Sequence, residues 1–226
     1  MERNGACCDR TLPEMTEEDL RRMRAFGCLG AEDHGKYRNL PMTELEQAVI
    51  SLLKPNRVAH VLGCRDTAAE LARRWGADVT DAARAGMLHD ITKALDGPLQ
   101  LTLCAEYGVA LNTFSVENPK TLHALTGSLV AERIFGENQA VVAAIRSHTT
   151  GKANMNTLEK IIYVADYMEP NRNFPGVETL RSLAYTDLNK ALKTGLEMTL
   201  EMLTAQKKVI SPESKSALEF LEQAGA

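Results

Sequence analysis

From Thr43 onward this chain of 226 residues repeats one pattern, apolar residues at helical spacing that Pro, Gly or Asn interrupts and that then resumes. Nothing constrains the fold more, because no stretch alternates apolar and polar residues between turn signals as a half-buried strand would. The spacing predicts helices over 43–53, 56–75, 81–95, 98–107, 119–135, 138–147, 157–168, 177–184, 188–206 and 212–222. Asn156, with Glu159 three residues on, has the form of a capping box. Gly76, Gly108 and Gly136 stand where helices commonly end on a left-handed residue. Aromatic residues make up only 5% of a chain rich in Leu, Ala and Met, which again favours helix over strand. The expected fold is all-α, with seven or more helices.

Residues 1–42 have a different character, rich in charge, Gly and Pro, and are expected to form a partly flexible N-terminal extension to a domain spanning 43–226. One short helix is expected within them, over 16–26, with Glu17, Glu18 and Asp19 at its start and Arg21, Arg22 and Arg24 in its later turns. Residues 27–41 read as a linker, and the extension is left outside the core.

A net charge of −4 gives no broad basic field, so long nucleic acids are not expected partners. A small anionic substrate stays compatible with an acidic protein when a bound cation reverses the local potential. The five cysteines (Cys7, Cys8, Cys28, Cys64, Cys104) form no CxxC pair and read as reduced thiols. No apolar run is long enough to span a bilayer, and the N-terminus has no secretory character. The expected location is the cytoplasm.

Within the helical pattern lies a series of His60, His89, Asp90, His123, His148 and Asp166, using all but one of the five histidines. Val141, Ala144, Ile145 and His148 share one helical stripe, and Leu158, Ile161, Ile162, Ala165 and Asp166 share another. His123 aligns with Thr126, Gly127 and Val130, where the glycine is expected to leave room for the imidazole; His60 aligns with Cys64, Thr67 and Leu71. Adjacent residues on a helix diverge by about 100°, so His89 and Asp90 are expected to reach different ligand positions. One inward histidine is more often a hydrogen-bonded core residue, and Asp90 and Asp166 have ordinary structural partners available in Arg57 and Arg172. Several inward imidazoles and carboxylates together would be costly without cations, which favours a metal site, binuclear by its size.

Lys93, one turn past His89, and Arg57, one turn before His60, are candidates to bind phosphate; so are Arg146, Thr149 and Arg172. Each cation also reads as an ordinary solvated charge. There is no GxGxxG, P-loop, GxSxG or HExxH. Cys64 reads as a packed thiol, and Met198 and Met202 as helix packing.

With these residues in view, the chain resembles the HD-domain superfamily of metal-dependent phosphohydrolases, and more narrowly the bacterial YqeK family. The resemblance rests on Arg57-Val-Ala-His60, Leu88-His89-Asp90-Ile-Thr-Lys93, Ser147-His-Thr-Thr-Gly151, Leu158-Glu-Lys-Ile-Ile-Tyr-Val-Ala-Asp166 and Glu169-Pro-Asn-Arg172-Asn-Phe-Pro-Gly-Val177. It runs from about residue 45 to about 205, and residues 1–42 depart from the family pattern. It implies an HD-domain helical bundle, a symmetrical diadenosine tetraphosphate hydrolase releasing two ADP, a di-iron centre and a homodimer. By the superfamily's pattern His60, His89, Asp90 and Asp166 would hold one metal, with Asp90 bridging to a second held by His123 and His148. The same donors would suit manganese or zinc.

The expected chemistry is attack by a metal-bridging hydroxide on a central phosphorus, with Lys93 and Arg172 offsetting charge as ADP departs. Two rival readings are another nucleotide phosphohydrolase, such as a nucleotidase or cyclic-nucleotide phosphodiesterase, and a non-catalytic nucleotide sensor.

Overall fold

Twelve α-helices carry the described residues, 13–29 and 34–225, of the computed structural model. In chain order they are α1 (Glu17–Ala25), α2 (Met42–Leu52), α3 (Pro55–Trp75), α4 (Val79–Leu88), α5 (Gly97–Glu106), α6 (Thr113–Glu117), α7 (Leu122–Val130), α8 (Gln139–Ser147), α9 (Thr157–Met168), α10 (Val177–Thr186), α11 (Leu188–Ala205) and α12 (Pro212–Gln223). The all-α reading holds: no strand occurs among the described residues. No helix among them is long and apolar enough to cross a membrane.

The longest helix, α3, packs along α4 and α9, and α8 closes the group against α4, α7 and α9. α3 and α4 approach closely because Gly86 has no side chain: a Cβ there would meet the Arg65 backbone at 2.8 Å. Around this group Leu71, Met87, Leu88, Ile145, Ile161 and Tyr163 are fully enclosed. The end of α4, the start of α7 and the ends of α8 and α9 therefore meet near the second turn of α3, where His60 lies. The capping box at Asn156 forms, with Glu159 N donating to Asn156 Oδ1 at 3.0 Å and Asn156 N to Glu159 Oε2 at 2.7 Å. Gly76, Gly108 and Gly136 take positive φ, as their positions predict.

Four details depart from the sequence reading. The helix expected over 81–95 ends at Leu88, and residues 89–94 continue as a run of tighter turns in which Ile91 N, Lys93 N and Leu95 N bond three residues back. Asp90 is thus outside the helix. A short helix, α6, was not anticipated; Asn112 caps it, its side chain accepting from Ser115 N at 2.8 Å. The stretch 119–135 is one path in three windings: a 3₁₀ turn, α7 and a π turn (Ala131–Phe135). Met202 is 47% exposed and packs no core, whereas Met198 lies against Gly176.

Residues 16–28 were expected to stay outside the core, yet Met23, Phe26 and Cys28 are wholly buried. Buried Arg22 donates to the Leu52 carbonyl at 2.8 Å, and the Tyr107 hydroxyl donates to the Phe26 carbonyl at 2.6 Å. Cys28, Cys64 and Cys104 are buried free thiols; Cys7 and Cys8, and part of the expected linker, lie outside the described residues.

Candidate metal centre

Local structure sets the protonation state of each ring before any ligand is considered. His89 and His148 are the C-caps of α4 and α8, and each ring turns its Nδ1–H back to a carbonyl three residues earlier: Gly86 at 2.8 Å and Ile145 at 2.6 Å. Carbonyls of a last helical turn are left under-used by the ladder, so a capping imidazole is a natural partner. His123, in the first turn of α7, does the same to the Lys120 carbonyl at 2.7 Å. His60 Nδ1 faces a carboxylate, Glu169 Oε1 at 3.1 Å. Every ring therefore spends Nδ1 on a fixed acceptor and turns Nε2 inward.

The inward atoms crowd together. Nε2 of His60 and His89 are 3.2 Å apart, and so are those of His123 and His148. Asp166 Oδ1 lies 3.1 Å from His60 Nε2 and 3.9 Å from His89 Nε2. Asp90 sits between the two pairs: Oδ2 is 3.7 Å from both His60 and His89, while Oδ1 is 3.4 Å from His123 and 3.7 Å from His148. Ligand atoms of His60, Cys64, His89 and Asp166 fall within 4.8 Å of one another, and so do those of His89, Asp90 and His148.

Electrostatics make this set an acceptor-rich pocket. Burial lowers His89 to about 4 and, with Lys93 nearby, lowers His123 to about 3, so both rings are neutral at pH 7 with lone pairs on Nε2. Burial opposes ionisation of Asp90 and Asp166. The charged groups around it, Lys93 among them, nevertheless hold Asp90 well below the usual carboxylate range. Arg172, bonded to Asp166, helps to do the same there. Asp90 Oδ1 is buried and makes no hydrogen bond with the described residues. Buried acceptors facing acceptors, one of them an orphaned carboxylate oxygen, fit cations and little else. Nitrogen and carboxylate donors with their outer nitrogens hydrogen-bonded are the usual make-up of a transition-metal site.

Around this cluster stand the expected phosphate candidates, and here the structure separates them. Lys93 Nζ lies 2.8 Å from His123 Nε2 and 3.7 Å from Asp90 Oδ1. Arg57 lies 3.4 Å from Asp90 Oδ2, and Arg172 binds Asp166 through both its side chain and its carbonyl. These three cations are 37%, 33% and 35% exposed, while the carboxylates behind them are nearly buried. Thr149 places its hydroxyl 2.9 Å from His123 Nε2 and 3.0 Å from His148 Nε2. Arg146 is elsewhere: it makes no hydrogen bond or ion pair with this cluster among the described residues and lines a neighbouring cavity.

Some residues were not singled out beforehand. Glu169 is 1% exposed and holds His60 from behind, and its other oxygen accepts from Asn171 N at 2.7 Å and Asn171 Nδ2 at 2.8 Å. Its one sequence signal was its place just past the Asp166 helix, before Pro170. Gly127 does make room, but for the His89 carbonyl, 3.3 Å from where a Cβ would stand, and not for the His123 ring. Cys64 behaves as a packed thiol: burial and the nearby Asp166, Glu169 and Asp90 push it well above the ordinary thiol range.

Comparison with known proteins bears on this geometry. The HD domain matches residues 57–171. A symmetrical bis(5'-nucleosyl)-tetraphosphatase of Halalkalibacterium halodurans (strain ATCC BAA-125 / DSM 18197 / FERM 7344 / JCM 9153 / C-125) is 40% identical over 170 residues, covering 73% of this chain and 90% of that one. The protein of the same name from Bacillus subtilis (strain 168) is 38% identical over 163 residues, covering 72% and 87%. A crystal structure of a predicted HD superfamily hydrolase involved in NAD metabolism from Clostridium acetobutylicum superposes with a TM-score of 0.79 at 35% identity, over 82% of this chain and 98% of that one.

Proposed function

We propose a function from one premise: this chain belongs to the HD domain family, among the relatives named symmetrical bis(5'-nucleosyl)-tetraphosphatases. On that premise it hydrolyses diadenosine tetraphosphate symmetrically, releasing two molecules of ADP. The observation that carries the reading is the inward set of Nε2 atoms around Asp90, whose Oδ1 is buried without a hydrogen bond.

His60, His89, Asp90 and Asp166 would hold one divalent cation, and Asp90, His123 and His148 a second. When bound, such cations supply Lewis acidity toward phosphoryl oxygens and an activated water as nucleophile. The chain's own contribution is to position and neutralise. Asp90, ionised and faced by both histidine pairs, fixes the centre of the ligand set. Lys93, Arg57 and Arg172 ring it with positive charge at partly exposed positions, where a polyphosphate can reach them. Lys93 and Arg172 offset charge that grows on phosphoryl and leaving oxygens as the central anhydride breaks. The Thr149 hydroxyl, beside His123 and His148, can donate to a bound phosphoryl oxygen. No side chain is needed as a covalent nucleophile, and Cys64, held protonated, is unsuited to the part.

Iron is the expected native metal, with manganese and zinc compatible with the same donors. The expected working form is a cytoplasmic homodimer. One experiment tests the activity: metal analysis of the purified protein together with chromatography of the products of diadenosine tetraphosphate. Bound transition metal and ADP alone support the reading. AMP with ATP, or an inert protein replete with metal, overturns it.

A further inference from the structure

Beside the metal centre lies a cavity of ≈ 280 Å³, bounded by residues 109–115, the start of α7, the end of α8 with residues 150–152, and the start of α12. We propose that this cavity seats one nucleoside of the substrate; this rests on the dinucleotide reading above and adds where one half of that molecule binds.

Position comes first. Leu122 and Ser147 line the cavity and immediately precede the ligands His123 and His148. Thr150 lines it too, and follows Thr149, whose hydroxyl touches both imidazoles. Consecutive α-carbons are about 3.8 Å apart, so the cavity wall stands on the order of 10 Å from the inward nitrogens. A nucleoside diphosphate extends over a comparable length from terminal phosphate to base. A phosphate at the ligands would therefore leave its nucleoside at this wall.

Size and chemistry agree. Ligand pockets commonly measure about 300–1,000 Å³, and a cavity at the lower edge suits a single nucleoside, not both halves of a dinucleotide. Phe114, Leu122 and Leu125 give an apolar wall for a flat base. Polar groups converge on the same space. The Asn112 side-chain oxygen is already committed to Ser115 N at 2.8 Å, which leaves its amide protons to donate. Arg146, which the sequence marked for substrate and which is absent from the metal centre, lines this wall, and its guanidinium makes no hydrogen bond or ion pair among the described residues. A planar cation lining the same cavity as an aromatic ring is suited to stacking on a base or to gripping the phosphate next to the ribose.

Two variants test the seat. Ala143→Phe fills the cavity from α8, and Arg146→Ala removes an exposed side chain with little consequence for folding. Each is compared with the wild type for KM on diadenosine tetraphosphate. The cavity-filling variant is also assayed for inhibition by inorganic tetraphosphate, which carries the phosphates and no nucleoside. The expected result is a KM raised about tenfold or more in both variants, with tetraphosphate inhibition of Ala143→Phe within about twofold of wild type. Unchanged KM in Arg146→Ala, or inhibition by tetraphosphate weakened as much as KM, overturns the seat. A wild type that does not cleave the dinucleotide at all overturns the activity instead; the seat is then read from ADP binding to both proteins, where Ala143→Phe should weaken binding about tenfold or more and equal affinity overturns the seat.

Discussion

Glu169 Oε1 receives the Nδ1 proton of His60 at 3.1 Å, from a carboxylate that is 1% exposed and 109 residues away in the chain. Its second oxygen accepts two protons from Asn171, so both oxygens face donors. Glutamine cannot replace it: whichever way the amide is turned, its NH₂ meets a proton of His60 or of Asn171. Glu169→Gln is expected to loosen the His60 ring and lower metal affinity about 10–100-fold, the usual cost of losing an outer partner of a metal-binding histidine. Competition with a fluorescent chelator measures this; affinity equal to wild type would show that Glu169 has no orienting role.

Asp90 is the residue on which both histidine pairs converge. Asp90→Ala is expected to abolish turnover and to leave the protein without stoichiometric metal. Atomic emission on the purified variant, with the assay for ADP, checks both; a fully active, metal-replete variant would refute the bridging role.

Metal should also stabilise the fold, because it relieves acceptors that otherwise face acceptors. A ligand at about 100 times its dissociation constant adds about 2.7 kcal/mol, or roughly 5–10 °C for a domain of this size. Thermal scans of chelator-treated protein with and without manganese should show that rise. The same scans on Asp90→Ala should show almost none. Equal shifts in the two proteins would place the bound metal elsewhere.

Much of this centre was legible because helical spacing is a statement about direction. His123, His148 and Asp166 fall on apolar stripes, and a polar group on such a stripe must face inward. Asp90 was harder to place, since its position depends on where α4 stops, and helix ends are set by a few competing hydrogen bonds. Glu169 and Arg146 were less legible still. One acts through a partner in another helix, and the other, a candidate to bind phosphate, lines the cavity beside the histidine cluster; only tertiary packing decides such matters. α1 was hidden for a different reason. Its polar, Arg-rich face dominates its composition, while Met23 and Phe26, three residues apart, bury one edge of it.

Alkaline pH should weaken the fold through buried thiols outside the histidine cluster. Burial, with Glu106 adding to it, pushes Cys28 up from an ordinary value near 9 to about 12, and burial pushes Cys104 up to about 11. In the unfolded chain these thiols lose their protons near pH 9, while the native state keeps them. Their contribution is therefore complete below pH 9 and is lost as pH rises toward 11 and 12. Alkylation by iodoacetamide at pH 8, followed peptide by peptide, should label both at least about a hundredfold more slowly in native than in urea-unfolded protein. Comparable rates would mean that the thiols are accessible and ionise normally.

The N-terminal helix should matter to stability more than to chemistry. Phe26 is 0% exposed, and its carbonyl accepts the Tyr107 hydroxyl, tying α1 to the end of α5. None of these atoms contacts the histidine cluster. Removing the ring leaves a cavity, and Phe26→Ala is expected to cost about 3–5 kcal/mol in urea or guanidinium unfolding. At temperatures where the variant stays folded, its KM for diadenosine tetraphosphate should match that of wild type. A loss below about 1 kcal/mol would mean that residues 16–28 are only loosely attached, as their composition alone suggests. A normal stability with a raised KM would instead tie this helix to substrate binding.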